Sequence, residues 1–269
     1  MMTTSAVSDP ARSFDPMPAA ELLLSTWRSH GVLDALPEAS RPATLDEGYA
    51  VQDAVAQLRG EPLAGWKLGV GSIGAMRQAR LARPLIGRVY ESLVYAPGDV
   101  VPLPTDRPIT VECEIAFVLG QDIVPHEAPS RLSDAVGATR VTFELVLSRF
   151  QNRRAVGWPS FVADGVGFGA LVVGPEVETD RIDQVAQGLS VMADGVVRAR
   201  VATGDDVTSP WESFAALIAH ASERGVMLNK GQIITTGACA IPFDIGCGST
   251  DLEARFDGKV FAVRVDTLL

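Results

Sequence analysis

The sequence predicts an α+β protein in which a small, helical amino-terminal part packs on a β-rich body. Apolar residues at helical spacing occupy the amino-terminal part, whereas short apolar runs of strand length follow from residue 87 onward. Two Asp-Gly pairs between alternating runs add the turn signal typical of β-hairpins. We therefore predict an extended or disordered segment at 1–18, a mainly helical part at 19–95 and a β-rich domain at 96–269.

Two helices are predicted in the amino-terminal part. The first runs from Ala20 to Trp27 and the second from Leu45 to Leu58, each with apolar residues three and four positions apart. Thr44 precedes the second helix and Glu47 lies three residues further on, which is the pattern of a capping box. The helical signal is therefore strongest at the start of the second helix.

The β-rich body is predicted from eight apolar runs, which one further helix interrupts. Asp194-Gly195 and Asp257-Gly258 are expected to turn two hairpins, and a helix capped by Ser209 is expected from Pro210 to Ala221. The predicted strands are Arg88–Tyr95, Val111–Leu119, Val141–Leu147, Gly169–Val173, Leu189–Ala193, Val196–Val201, Gln232–Thr236 and Lys259–Val265.

Composition excludes several classes of protein. The net charge of −10 argues against a surface for nucleic acid or anionic lipid, because such surfaces need a basic stripe. No apolar run approaches the roughly 20 residues that span a bilayer. The three cysteines, Cys113, Cys239 and Cys247, form no CxxC pair, and an odd number suits a reducing compartment. Since residues 1–18 also lack the pattern of a secretion signal, we expect a cytoplasmic protein.

Two glutamates in one predicted strand carry the clearest chemical signal. Glu112 and Glu114 flank Cys113, and strand alternation sends residues two apart to the same face. Glu144 stands equally isolated in the apolar run 141–147. Two carboxylates about 4 Å apart repel by roughly 4 kcal/mol at an effective dielectric constant of about 20, so such a set must take up protons or a cation. A divalent cation that prefers oxygen ligands answers this need.

A glycine-rich motif offers a competing interpretation. Gly69, Gly71 and Gly74 match the GxGxxG pattern of dinucleotide-binding folds and precede the helix-like stretch 75–82. The preceding strand-like segment is short, however, and no alternation of strands and helices follows it. A tight loop is therefore the simpler interpretation of these glycines.

Lys67 is a candidate catalytic residue because lysine is rare in this chain. Only three lysines occur against 20 arginines, and Lys67 lies between large apolar neighbours. A partly desolvated ammonium there could have a lowered pKa and move a proton. An ion pair or a side chain that reaches out to solvent is the structural alternative.

Six short motifs together indicate a family. Taken in chain order, they resemble the 2-keto-4-pentenoate hydratase and 4-oxalocrotonate decarboxylase family, which is related to fumarylacetoacetate hydrolase, from about residue 45 to the end. The motifs are GWKLG (65–69), RPLIG (83–87), ECEIA (112–116), FELVLSR (143–149), VADG (162–165) and TG (236–237).

The resemblance implies a fold, a cofactor and an activity. The β-rich core would be a mixed β-sheet roll like that of fumarylacetoacetate hydrolase, in a homo-oligomer. Glu112, Glu114 and Glu144 would hold Mg²⁺ or Mn²⁺. The reaction would add water to a 2-hydroxy-2,4-dienoate to give a 4-hydroxy-2-oxo acid, in aromatic or related catabolism. A small acid would thus be the partner, with no nucleic acid and no membrane.

The resemblance also implies further site residues. Lys67 and Asp164 would be catalytic, and Leu68 and Thr236 would bind substrate. Apart from the resemblance, Arg149 directly after Ser148 could bind a substrate carboxylate. Asp164 could equally be a turn residue before a glycine. Arg149 could instead belong to a solvated basic cluster with two arginines a few positions on.

Three positions depart from the family pattern. Leu85 stands where hydratases commonly have an acidic residue and decarboxylases an aliphatic one, and Gly165 and Gly167 belong to a segment in which both subgroups have polar residues. The alternatives are therefore decarboxylation of a 2-oxo-3-enedioate, hydrolysis of a carbon–carbon bond in an acylpyruvate, and a non-catalytic homologue that assembles or binds ligand.

Overall fold

Two β-sheets and the helices around them form the protein in the computed structural model, which describes residues 14–268. The predicted segment 1–18 lies mostly outside the described residues, and the first helix already begins at Met17. The helices of residues 14–268 are α1 (Met17–Arg28), α2 (Leu45–Arg59), α3 (Ile73–Ala79), α4 (Gly157–Ala163), α5 (Ile182–Gly188) and α6 (Pro210–Glu223). No helix among them has the length and apolar character needed to span a membrane.

The strands fall into two groups that alternate along the chain. They are β1 (Leu63–Gly69), β2 (Leu85–Tyr90), β3 (Val94–Tyr95), β4 (Val100–Pro102), β5 (Ile109–Leu119), β6 (Val136–Val146), β7 (Phe168–Val177), β8 (Ser190–Ala193), β9 (Val196–Arg200), β10 (Ile233–Ala238), β11 (Phe243–Ile245), β12 (Ser249–Phe256) and β13 (Lys259–Asp266). The α+β class predicted from the sequence is confirmed.

The predicted helices form for the predicted local reasons. In α2 the Thr44 side chain accepts from the Glu47 amide while the Glu47 side chain accepts from the Thr44 amide, so the capping box is complete. In α6 the Ser209 side chain accepts from the amide of Glu212. Both caps pair amides that the first helical turn would leave without partners.

The larger sheet is mixed and has the order β2-β1-β10-β5-β6-β7-β3, with β11 also paired to β5. It curls, since β2 at one end also contacts β7 near the other. Strands β1 and β2 precede residue 96, so the predicted helical part shares this sheet with the predicted β-rich domain. Gly65 and Lys67 have low strand propensity, which weakens the sequence signal of β1. Glycine is needed at residue 65 because a Cβ there would lie 1.8 Å from the carbonyl oxygen of Ile233 in the neighbouring strand.

The glycine-rich motif forms a loop, as the simpler interpretation predicted. It joins β1 to α3, and the next strand, β2, pairs antiparallel with β1. A dinucleotide-binding unit needs a parallel crossover at this point. The motif therefore forms the loop between β1 and α3, with Ser72 as the helix cap.

The smaller sheet has the order β4-β13-β12-β8-β9 and contains both predicted hairpins. Asp194 and Gly195 have φ values of 50° and 78°, and Asp257 and Gly258 have 46° and 71°. Two successive positive φ values are what a two-residue hairpin turn of the twisted sheet requires. The hairpin predictions are confirmed.

Alternation along β6 separates the core from the site. Phe143 points toward the smaller sheet and packs on Phe261 of β13, with ring centroids 4.8 Å apart. Glu144, the next residue, points to the other face of the larger sheet. This inner, concave face is where the acidic residues of β5 and β6 meet.

Candidate metal and active site

Strand pairing brings the three predicted metal ligands together. Glu112 of β5 lies directly opposite Glu144 of β6, and Glu114 follows two residues along on the same face. One carboxylate oxygen from each residue lies within 4.8 Å of those of the other two. The convergence follows from antiparallel register, because directly opposed residues project from the same side of the sheet.

Burial leaves two of these carboxylates short of partners. Glu114 and Glu144 are both fully buried. Glu114 Oε1 and Glu144 Oε2 have no hydrogen-bond partner within residues 14–268. Buried acceptors in this state are costly unless a proton or a cation satisfies them. A hard divalent cation fits this donor set, since such ions take carboxylate oxygens as ligands.

The second oxygen of Glu114 is held in place by β10. The Thr235 hydroxyl donates to Glu114 Oε2, and the Gly237 amide donates to the same oxygen at 2.7 Å. Gly237 has φ of 100° at a bulge in the pairing of β10 with β5, a conformation that favours glycine. These two hydrogen bonds fix the carboxylate of Glu114, whose other oxygen, Oε1, has no partner within residues 14–268.

Sequence reasoning selected Thr236 and missed Thr235. The Thr236 hydroxyl donates to the Ile115 carbonyl at 2.7 Å, whereas Thr235 contacts the acidic cluster. Strand alternation was the signal that could have found it, because Thr235 pairs with Lys67 in the parallel ladder of β1 and β10 and shares its face.

Lys67 lies inside the acidic cluster. Its Nζ is 2.8 Å from Glu144 Oε1 and donates to the carbonyl of Val166 at 3.1 Å, and the residue is 1% exposed. Burial opposes its positive charge, but the carboxylates of Glu144 and Glu112 outweigh burial and hold the pKa of Lys67 above its ordinary value. The sequence suggested a lowered pKa because local sequence shows apolar neighbours and not the three carboxylates across the sheet.

The pKa values of the two buried carboxylates are also raised. Burial, followed by the charges of Glu144 and Glu112, raises the pKa of Glu114 well above its ordinary value. Burial also raises the pKa of Glu144 to about 7, although Lys67 opposes that rise. A cluster that resists ionisation in this way gains stability from any added positive charge.

A turn with three positive φ values supplies a hydrogen-bond acceptor to Lys67. Gly165, Val166 and Gly167 have φ values of 63°, 57° and 72°, and Val166 presents its carbonyl to Lys67. A positive φ is unfavourable for a β-branched residue, so the surrounding structure must hold Val166 in place. Glycines flank it where polar residues were expected from the family pattern, and they supply the left-handed backbone that this turn needs.

A cavity of about 450 Å³ opens beside Glu112, the partly exposed member of the cluster. The predicted residue Leu68 lines it, as does the loop Gly69–Ser72. Leu85 is buried in the core opposite Gly69 and does not line this cavity. The cavity therefore reaches the acidic cluster from the side of Glu112.

Asp164 and Arg149 form a separate buried pair. Arg149 Nε donates to Asp164 Oδ1, while the Ser148 hydroxyl and the Arg149 amide donate to Asp164 Oδ2 at 2.6 and 3.0 Å. The Arg149 guanidinium also stacks on Trp27, with its Cζ 4.1 Å from the ring centroid. Both residues line a different, small cavity near Trp27. The structure thus brings them together with each other, and the turn that follows Asp164 contacts Lys67 through the carbonyl of Val166.

The chain belongs to the family described as fumarylacetoacetate (FAA) hydrolase C-terminal, whose model matches residues 71–266. The three clustered glutamates, Glu112, Glu114 and Glu144, all lie within the matched residues. The predicted resemblance is confirmed.

Individual relatives extend the likeness to most of the chain. The 2-keto-4-pentenoate hydratase of Paraburkholderia phymatum is 30% identical over 213 residues, which cover 76% of this chain and 78% of the relative. The 2-oxo-hept-4-ene-1,7-dioate hydratase of Escherichia coli is 25% identical over 222 residues, with 77% and 81% covered. The structure of 4-oxalocrotonate decarboxylase from Pseudomonas putida G7, complexed with magnesium and adipate, aligns with a TM-score of 0.81 at 22% identity and covers 93% and 97% of the two chains.

Proposed function

We propose that this protein is a divalent-metal-dependent hydratase that adds water to a 2-hydroxy-2,4-dienoate and forms a 4-hydroxy-2-oxo acid. The observation that carries the proposal is the buried cluster of Glu112, Glu114 and Glu144 beside Lys67. The named activities of the hydratase relatives support it, because those relatives match this chain over about three quarters of its length.

Glu112, Glu114 and Glu144 would hold Mg²⁺ or Mn²⁺. The orphaned oxygens of Glu114 and Glu144 supply buried donors, and the partly exposed Glu112 connects them to the cavity. When bound, the ion would supply Lewis acidity toward the carboxylate and C2 oxygens of a 2-oxo acid.

Lys67 balances the charge of this site. Three carboxylates and a divalent cation leave one negative charge, which the Lys67 ammonium cancels, so that a substrate with one carboxylate meets a neutral site. Because the pKa of Lys67 is raised, its Nζ holds its proton at neutral pH. Its positive charge then stabilises negative charge that develops on the C2 oxygen of the substrate.

Hydration of the dienol proceeds in two parts. The C2 hydroxyl loses its proton while C5 gains one, which leaves a 2-oxo-3-enoate, and water then adds with its oxygen at C4 and its hydrogen at C3. The cavity beside Glu112 would hold C3 to C5 and admit the water, since Lys67, Glu114 and Glu144 are closed to solvent.

Incubation with 2-hydroxypenta-2,4-dienoate and Mg²⁺ tests the proposal. We expect loss of the dienol absorbance and a product heavier by one water, both abolished when the metal is chelated. A product of unchanged mass would exclude hydration of this substrate.

The role of Lys67 is tested with a matched lysine. Lys67→Met should lower kcat about 100-fold or more, within the usual effect of removing a proton-transfer or charge-stabilising group, and should change metal affinity far less. Lys230→Met removes an exposed lysine and should leave both unchanged. An unchanged kcat in Lys67→Met would remove this residue from the mechanism.

Decarboxylation of a 2-oxo-3-enedioate is a second candidate, favoured by one residue. Leu85 is aliphatic, as in the decarboxylase pattern, although it lies in the core. Decarboxylation would place the same 2-oxo acid head at the glutamate cluster, and its product would be lighter by one carbon dioxide. The same mass measurement on an enedioate substrate therefore separates the two reactions.

Assembly and location complete the proposal. We expect a homo-oligomer, as the family resemblance implies, and light scattering during size-exclusion chromatography would measure its mass. A cytoplasmic location agrees with three free cysteines, two of them buried. Thiol labelling of the native protein should modify only the exposed Cys247.

A further inference from the structure

The walls of the active-site cavity differ in charge from what a dicarboxylate would need. Within residues 14–268, the charged side chains that line it are Glu112 and Asp206, and both are acidic. The other walls are small or apolar and include Ala75, Ala202 and Ile241. A second carboxylate in this cavity would therefore meet negative charge and no lining lysine or arginine.

Asp206 lies exposed in the short helical turn Gly204–Asp206, before the strand-like segment that leads to α6. Its carboxylate has no hydrogen-bond or ion-pair partner in the part of the chain that the structure describes. The neighbouring Asp205 differs, because Arg77 Nη1 lies 2.8 Å from its Oδ2. The negative charge of Asp206 is thus uncompensated and belongs to the cavity, whereas that of Asp205 is paired outside it.

We propose that Asp206 is a specificity-determining residue that excludes substrates with a distal carboxylate. The site would then accept 2-oxo and 2-hydroxydienoic acids whose tail is short and uncharged. This inference rests on the proposed function, since it assumes that the 2-oxo acid head binds at the glutamate cluster. Discrimination by a repulsive charge is an established way to reject a close analogue without weakening the preferred ligand.

Charge balance at the other end of the cavity leads to the same conclusion. The three glutamates, a divalent cation and Lys67 cancel, so one substrate carboxylate can be accommodated there. A second negative charge would have no counterpart in the cavity. The apolar wall around Ala202 and Ile241 instead suits a methyl or vinyl group, whose burial is favourable.

Calorimetric binding of two stable acids tests the inference without turnover. In the presence of Mg²⁺, wild-type protein should bind 2-oxohexanoate at least about tenfold more tightly than 2-oxohexanedioate. Asp206→Asn should reduce this ratio by about fivefold or more, almost entirely through tighter binding of the diacid. Since Asp206 is exposed, added salt should also narrow the wild-type ratio.

Asp134→Asn is the matched control, because it removes an exposed acidic charge that does not line the cavity. It should leave the ratio at the wild-type value. A ratio that is unchanged in Asp206→Asn, or changed equally in both variants, would overturn the inference and leave the proposed function intact. Failure of both acids to bind with Mg²⁺ would overturn the proposed function and, with it, this inference.

Discussion

The chain contains two buried acidic sites that are built in opposite ways. Asp164 accepts hydrogen bonds on both oxygens and pairs with Arg149. Glu114 and Glu144 lie in a cluster of three carboxylates, and each keeps a buried oxygen without a partner in residues 14–268. Protein groups satisfy both oxygens of Asp164, whereas an added cation would satisfy the unpaired oxygens of Glu114 and Glu144.

The comparison shows that two equally buried acids can differ in how far protein groups satisfy their oxygens. Burial raises the pKa of Asp164 as it does that of Glu114, although Arg149 and Ser148 oppose the rise only at Asp164. At Glu114 the charges of Glu144 and Glu112 add to the effect of burial, against the smaller opposing effects of Thr235 and Lys67. Removing the charge of Asp164 should therefore destabilise the folded protein, whereas removing the charge of Glu114 should reduce the repulsion among the three carboxylates.

Glu114→Gln is expected to have the largest effect. Loss of one of three carboxylate ligands should weaken Mg²⁺ binding by at least about 100-fold, and turnover should fall with it. Without metal the variant should be more stable than wild type by about 1 kcal/mol, because the amide removes like-charge repulsion and still accepts from Thr235 and Gly237. Calorimetry and thermal unfolding in a chelator measure the two effects. A less stable metal-free variant would contradict the comparison.

Asp164→Asn should act in the opposite sense. The free energy of unfolding should fall by about 3 kcal/mol, because the buried Arg149 loses its charged partner. Mg²⁺ affinity should stay within about threefold of wild type, since Asp164 is not part of the cluster. Denaturant unfolding and metal titration give both values. Loss of metal binding with unchanged stability would assign Asp164 to the metal site.

Gly87→Ala probes the packing that holds Lys67. An added Cβ would lie 2.5 Å from the carbonyl oxygen of Gly165 and 2.9 Å from Lys67 Cδ, so both must shift. Turnover should drop about tenfold or more, because small displacements of a catalytic group are costly. Gly188→Ala adds a Cβ that meets nothing within 4 Å, at a φ outside the left-handed region, and serves as the control. Equal activities in the two variants would show that the position of Lys67 is not critical.

The pH dependence of metal affinity should be the smallest effect. Glu144 has a raised pKa of about 7 and must lose its proton before it binds a cation. Affinity for Mg²⁺ should therefore rise as pH rises through 7 and should be at least about tenfold weaker at pH 6 than at pH 8, because the raised pKa of Glu114 acts in the same direction. Proton release, measured by calorimetry in two buffers of different ionisation enthalpy, should accompany binding at pH 6. Constant affinity over this range would show that Glu144 is ionised without the metal.

The sequence predicted the members of the acidic cluster because the local pattern of each strand marks them. Alternation places Glu112 and Glu114 on one face of a strand, and Glu144 was isolated in another apolar run. The hairpins at Asp194 and Asp257 were predictable for the same reason, since two residues determine the turn.

Features that depend on the curl of the sheet could not be predicted. The contact of Lys67 with Glu144 joins β1 to β6 across the concave face. The strand β1 was recognised only as a short strand-like segment, because glycine and lysine have low strand propensity. Asp206 gave no signal either, because only the folded chain brings its turn to the cavity of Glu112.

Binding of Mn²⁺ to metal-depleted protein, counted by electron paramagnetic resonance, is the sharpest test of a metal site at the three glutamates. We expect one tightly bound ion per chain, lost in Glu114→Gln and retained in Asp164→Asn. Absence of a stoichiometric ion in the wild-type protein, or equal binding in the wild type and Glu114→Gln, would contradict it.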